Sequence, residues 1–186
     1  LPSPPTPLLS PSLCASPLFI ACHNFSFLQK YDMLANAREG ATFLLASPYG
    51  PVETWAHLPT ETARQIVEKK INFYVIDAAK IARENGMGTR TNTVLQTAFF
   101  KLSGIKLAKA DGTELDPIQV LKDYAEKAYS KKGQEVVEMN WKCIEAASAA
   151  IEEVKYPAAP AGKAKMPPTV AAEAPDFIKS VTAKMI

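Results

Sequence analysis

Three nearly unbroken apolar runs, Leu18-Phe-Ile-Ala-Cys22, Ala41-Thr-Phe-Leu-Leu-Ala46 and Ile71-Asn-Phe-Tyr-Val-Ile76, constrain the fold of this chain more than any other feature. A strand with one wet face alternates apolar and polar residues. A strand that is apolar on both faces is covered on both, as in a parallel sheet with helices above and below it. The segments between the runs read as helices. Phe27 to Arg38 places Leu28, Tyr31, Leu34 and Ala35 at helical spacing, and Gly40 is positioned to close it. Ser47-Pro-Tyr-Gly-Pro51 is a turn, and Glu53 to His57 a single helical turn. Glu61 to Lys70, opened by Thr60 after Pro59, gathers Ala63, Ile66 and Val67 on one face. Right-handed crossovers then bring the C-terminal ends of all three strands to one edge of the sheet.

Further along, the pattern predicts helices over Thr93 to Leu102, Pro117 to Ser130 and Gln134 to Val154, the last long and alanine-rich. Six of the fifteen prolines lie in the first seventeen residues, and prolines at that density forbid helix and discourage sheet. Residues 1–17 therefore read as a non-domain leader: a linker, a transit-peptide remnant or translated non-coding sequence. From Tyr156 to Pro175 the composition shifts to Ala, Pro, Gly and Lys, a linker, and Pro175 to Ile186 resembles the start of a truncated helical element. The folded unit is expected over residues 18–155, with 156–186 outside it.

A net charge of +2 argues against a dedicated nucleic-acid binder. No run of about eighteen apolar residues suggests a membrane span. Cys14, Cys22 and Cys143 are odd in number and form no C-x-x-C. That spacing argues against a zinc site or an iron–sulfur cluster held wholly by this chain, and suits reduced thiols in an intracellular compartment. The cytosol fits, or an organelle if the leader is a transit remnant.

The chemistry concentrates in the loop Gly86-Met-Gly-Thr-Arg-Thr-Asn-Thr93. Gly86 can take the left-handed conformation that stops a helix, and Thr91 or Asn92 can cap the next one. The first N–H groups of that helix and the fork of donors on Arg90 suit a phosphate or carboxylate. The plainer reading is a capped helix start with a solvated arginine. Asp77, at the end of the third run, suits either a ribose-binding or catalytic role or the N-cap of Ala78 to Glu84. His23 and Asn24 close the turn after the first strand, His57 packs beside Trp55 and Leu58, and Lys131-Lys132-Gly133 is a helix break with solvated charge. Trp55 and Trp141 are expected in a core or an interface. No Ser-His-Asp set, paired-carboxylate motif or Walker loop is present, so the chain offers no catalytic residue of its own.

His23-Asn-Phe-Ser-Phe-Leu-Gln-Lys-Tyr-Asp32, Gly40-Ala-Thr-Phe-Leu-Leu-Ala-Ser-Pro-Tyr49, Phe73-Tyr-Val-Ile-Asp-Ala78, Gly88-Thr-Arg-Thr-Asn-Thr-Val-Leu-Gln-Thr97 and Tyr129-Ser-Lys-Lys-Gly-Gln-Glu-Val-Val137 together resemble the pyruvate:ferredoxin (flavodoxin) oxidoreductases. The likeness runs from about Leu18 to Val154, in the third, or γ, domain of those large enzymes. It implies a three-layer α/β/α unit with a mainly parallel sheet, followed by helices, that helps to hold CoA. It makes Arg90 and Asn92 the candidate CoA-binding residues. For the parent enzyme it implies thiamine diphosphate, Mg2+ and cubane iron–sulfur clusters, ferredoxin or flavodoxin as electron acceptor, and a homodimer. The remaining domains of the same enzyme are the implied partners. Family members carry a further strand–helix portion with a glycine-rich turn before the first strand seen here. The resemblance therefore implies a sheet incomplete at its N-terminal part, with apolar strand surface of Leu18 to Cys22 exposed. The γ portion of an oxidoreductase for another 2-oxoacid, and a non-catalytic interaction domain, are the alternatives.

Overall fold

A computed structural model describes residues 16–108, 111–157 and 173–180. Its centre is a four-stranded sheet in the order β1 (Phe19–Cys22), β2 (Thr42–Ala46), β3 (Asn72–Ile76), β6 (Glu152–Glu153). The three apolar runs are the three parallel strands, paired Ile20 to Phe43 and Phe43 to Phe73 in register. Successive side chains of a strand face opposite ways. Phe43, Leu45, Phe73 and Val75 therefore enter one core, while Leu44 and Ile76 enter another on the opposite face.

The first core is closed by a 3-10 helix (Phe25–Gln29), α1 (Pro51–His57) and α2 (Thr60–Glu68) through Leu28, Trp55, Leu58, Ala63 and Ile66. Phe43 and Phe73 stack at 5.4 Å between ring centres inside it, both fully buried. Burying each ring stabilises the fold by about 1.5–3 kcal/mol relative to leaving it in water. The second core is closed by α3 (Ala78–Glu84), α4 (Asn92–Leu102) and α6 (Gln134–Ala149) through Ile81, Ala82, Val94, Ala98, Cys143 and Ala147. The result is the expected α/β/α sandwich. Outside it, α5 (Pro117–Tyr129) packs on α6 through Leu121, Ala125 and Ile144. A small hairpin of β4 (Leu107–Ala108) and β5 (Glu114–Leu115) precedes α5, and α7 (Asp176–Ser180) follows the sheet in sequence.

Two sequence expectations are corrected, and one element had no sequence expectation. The helix predicted over Phe27 to Arg38 is only the 3-10 helix followed by turns. The carbonyls of Leu34 and Ala35 accept from Lys69 Nζ, both at 2.7 Å, and Gln65 Nε2 donates to Asp32. Partners on α2 and just beyond it thus replace the bonds of a continuous helix. The helix predicted to reach Val154 ends at Ala149. The next residues form β6, antiparallel to β3, because Val154 N donates to Phe73 O at 2.8 Å and Val154 itself is buried. The β4–β5 hairpin was not anticipated, although Asp111-Gly112 between its strands is a turn signal. At β1, Leu18 and Ala21 are exposed, but Ile20 and Cys22 are buried in the first core. Most of the expected interdomain linker, residues 158–172, lies outside the described residues, as does the leader up to residue 15.

Candidate functional site

The C-terminal ends of the three parallel strands open into a cleft of about 380 Å3. Such a crevice is where open α/β sheets take their ligands. Its floor is fixed by the turn after β2. Ser47 N donates to Ile76 O at 3.1 Å, and the Ser47 and Thr54 hydroxyls meet at 2.7 Å, both fully buried. Thr54 Oγ1 also donates to Tyr49 O, so the backbone of Pro48 and Tyr49 is held at the cleft wall. The Tyr49 ring meets Phe25 edge-on at 5.6 Å and stacks on His57 at 4.4 Å. His57 thus packs, as expected, with Nδ1 placed 2.8 Å from Glu53 O.

Each turn at this edge uses its polar residue locally. Asn24 Oδ1 accepts from Ser26 N and Ser26 Oγ, and so caps the 3-10 helix. Asp77 Oδ1 accepts from Lys80 N at 2.9 Å, the N-cap of α3. That geometry supports the capping reading of Asp77. Cys22 is also removed from chemistry. Burial pushes its thiol up, opposed in part by a backbone hydrogen bond of Asn24, and Sγ itself donates to Asn24 O at 3.1 Å. A thiol that resists ionisation is a poor nucleophile.

The loop from Gly86 to Thr91 leads from α3 into α4, and its last residue, Thr91, lines the cleft. Gly86 has φ 75° and Gly88 φ 60°, the left-handed region that favours glycine. A Cβ on Gly86 would lie 2.8 Å from Met139 Sδ, so the loop is pressed onto α6. Arg90 N donates to Met87 O, while its exposed guanidinium makes no hydrogen bond or ion pair among the described residues. Thr91 stands at the N-cap of α4 but makes no side-chain cap, and Asn92 is the first helical residue. The first helical bond runs from Leu95 N to Thr91 O. The N–H groups of Asn92, Thr93 and Val94 therefore open the helix without a side-chain acceptor among the described residues, a ready place for negative charge. The sequence left Thr91 or Asn92 as the cap; neither acts as one.

Thr91 lines the strand-end cleft, while Asn92 lines a second, larger groove against α5. The end of the loop thus lies between the two cavities, and Arg90 lines neither of them. Sequence reasoning singled out Arg90 and Asn92 as site residues and read Asn24, Ser47 and Tyr49 only as turn residues past the strand ends, where they line the cleft. Among the described residues no group of three or more His, Cys, Asp and Glu is gathered to hold a metal. Cys22 and Cys143 sit in different cores on opposite faces of the sheet, so they cannot share a cluster.

Residues 4–150 match the family model of pyruvate ferredoxin/flavodoxin oxidoreductase. The chain belongs to that family. It is 40% identical, over 98% of its length, to the pyruvate-flavodoxin oxidoreductase of Rhodospirillum rubrum, of which it covers 15%. It is 38% identical, over 94% of its length, to the pyruvate:ferredoxin oxidoreductase of Moorella thermoacetica, covering 14%. The chain therefore spans about 15% of the curated relatives it matches. In fold it is similar to the pyruvate oxidoreductase subunit PORC of Thermotoga maritima, with a TM-score of 0.57 at 16% identity over 76% of this chain and 67% of that one. In those relatives the matched stretch is one small part of a longer chain. No helix among the described residues is long and apolar enough to cross a membrane.

Proposed function

We propose that this chain is the γ portion of an enzyme that oxidises pyruvate to acetyl-CoA and CO2, passing electrons to ferredoxin or flavodoxin, and that it supplies scaffold and part of the CoA site. Membership of the family and the names of the relatives support the reaction class. The observation that carries the local role is the N-terminus of α4, without a side-chain cap, next in sequence to the Arg90 guanidinium, which is unpaired among the described residues.

In this reading a CoA phosphate rests on Arg90 and the N–H groups of Asn92 to Val94, and the Asn92 side chain bonds the ligand. The part played is orientation: a correctly held thiol removes much of the entropic cost of acyl transfer. The described residues gather no group of three or more His, Cys, Asp and Glu of the kind that would hold Mg2+ or an iron–sulfur cluster. Those groups belong to the rest of the parent enzyme, as do the keto-acid contacts, the electron acceptor's docking surface and the homodimer interface. The cytosol, where thiols stay reduced, suits the two buried free cysteines.

The test is Arg90→Ala in the full-length enzyme. The KM for CoA should rise at least five-fold while the KM for pyruvate stays within two-fold. An unchanged CoA dependence removes the role of Arg90. CoA-induced thermal stabilisation of the 186-residue chain separates a ligand site from a purely structural interaction domain.

A further inference from the structure

We propose that the proline-rich segment Pro2 to Leu9 of this chain's own leader docks in the groove between α4, α5, α6 and the β4–β5 hairpin. The groove encloses about 600 Å3. Phe100, Tyr124 and Tyr129 give it aromatic walls, and Leu107, Val120 and Ile144 extend them with hydrocarbon. No described residue that lines it is charged, although 22% of the chain is. Pro2-Ser-Pro-Pro-Thr-Pro-Leu-Leu9 matches that surface in kind. It holds two overlapping P-x-x-P spacings, Pro2 with Pro5 and Pro4 with Pro7, and no charged side chain. Such segments favour the extended polyproline II helix, which docks in aromatic-lined grooves at little entropic cost.

Backbone carbonyls in that conformation have no internal partner and need donors from outside. The groove offers them: the side-chain amides of Asn92 and Gln96 and the Tyr124 hydroxyl make no hydrogen bond among the described residues. From Asn92 to Phe100 the wall of α4 runs about 12 Å at 1.5 Å per residue, room for about four residues at 3.1 Å each. The leader also joins the fold close by. Arg38 N donates to Pro17 O at 3.2 Å, which fixes that junction. Two residues on, the Phe19 ring meets Phe99 of α4 edge-on at 5.0 Å, and Phe99 meets Phe100, at the groove, at 5.3 Å. From Pro17 back to Leu9 the chain can span about 25 Å at 3.1 Å per residue, more than those two steps require. A tether so short holds the segment at an effective concentration of about millimolar order, so a weak contact suffices.

Paramagnetic broadening of amide signals in the full 186-residue chain tests this. A nitroxide on the Ser3→Cys/Cys14→Ser variant marks the leader alone, because Cys22 and Cys143 are buried. Signals of Gln96, Phe100, Tyr124 and Tyr129 should lose at least half their intensity relative to the reduced label. Those of Val52 and Arg64, on the helices that close the first core at the other face of the sheet, should keep theirs. Tyr124→Ala removes an aromatic wall at a residue 68% exposed, and Ala128→Trp fills the groove from an exposed position. Each should return the groove signals to nearly full intensity, with a circular-dichroism melt confirming that the variant folds. Undiminished signals at the groove, or equal loss on both faces, overturn the proposal without recourse to the variants. A folded variant that keeps the loss also overturns it. So does a loss seen only between labelled and unlabelled copies in a mixed sample, which would seat the leader of a second copy there.

Discussion

Gly86→Ala tests the contact that presses the Arg90 loop onto α6. Gly86 lies at φ 75°, where a residue bearing a Cβ costs about 1–2 kcal/mol. The added methyl would also meet Met139 Sδ at 2.8 Å, closer than real Cβ contacts come. Met139 is a flexible side chain, so the displacement costs about 1 kcal/mol, the low end for overpacking. The loss is therefore about 2–3 kcal/mol, or roughly 4–12 °C in Tm for a chain of this size. Gly88→Ala is the control. Its φ is 60°, but nothing lies within 4 Å of its would-be Cβ, so only the conformational cost of about 1–2 kcal/mol remains. Urea unfolding of Gly86→Ala, Gly88→Ala, Met139→Ala and the Gly86→Ala/Met139→Ala pair gives a double-mutant cycle. The 86–139 coupling should be about 1 kcal/mol, with the double variant less destabilised than the sum of the singles. Equal losses at the two glycines together with zero coupling would show that the loop does not rest on α6.

Asp77→Ala should cost about 1 kcal/mol in urea unfolding, the price of an N-cap, with Asp77→Asn nearly neutral; a large loss of CoA affinity without loss of stability would restore a ligand role to Asp77. Thr54→Val removes the buried bonds to Ser47 and to Tyr49 O and should destabilise by about 1–3 kcal/mol, lowering the urea midpoint; an unchanged midpoint would mean that the hydroxyl pair does not hold the cleft floor. Burial, and then the charge of Glu153, push the Tyr156 phenol up, so the folded state favours the neutral ring. That contribution is complete below the unfolded pKa of about 10 and is lost as pH rises through the higher folded value, and Tm should fall more steeply above about pH 10 than in Tyr156→Phe. Cys22 and Cys143, 1% and 0% exposed with thiols raised by burial, should resist iodoacetamide in the folded chain at pH 8; rapid labelling of either by mass spectrometry would contradict their placement.

The parallel strands were legible because their signal is local: each is a short run apolar on both faces, and the sheet that covers both faces follows from that. The Asp77 cap, Gly133 at the break between α5 and α6, and the packing of His57 were legible for the same reason. What escaped depends on distant partners. Nothing near Leu34 or Ala35 in sequence shows that their carbonyls accept from Lys69. Alanine-rich residues through Ala149 favour helix, and only the open edge of β3, far away in sequence, draws Glu152–Glu153 into the sheet. At the site, the loop glycines and Arg90 announced themselves by type. The missing cap at Thr91 and the groove behind Asn92 are products of packing and could be seen only in three dimensions.

Amide hydrogen–deuterium exchange of the 186-residue chain with and without CoA tests the central claim most directly, because it reads the uncapped N–H groups themselves. Binding as proposed predicts slower exchange at Asn92, Thr93 and Val94, an effect that Arg90→Ala reduces. Unchanged exchange through that turn at saturating CoA, or protection confined to other segments, would contradict a CoA site at the start of α4.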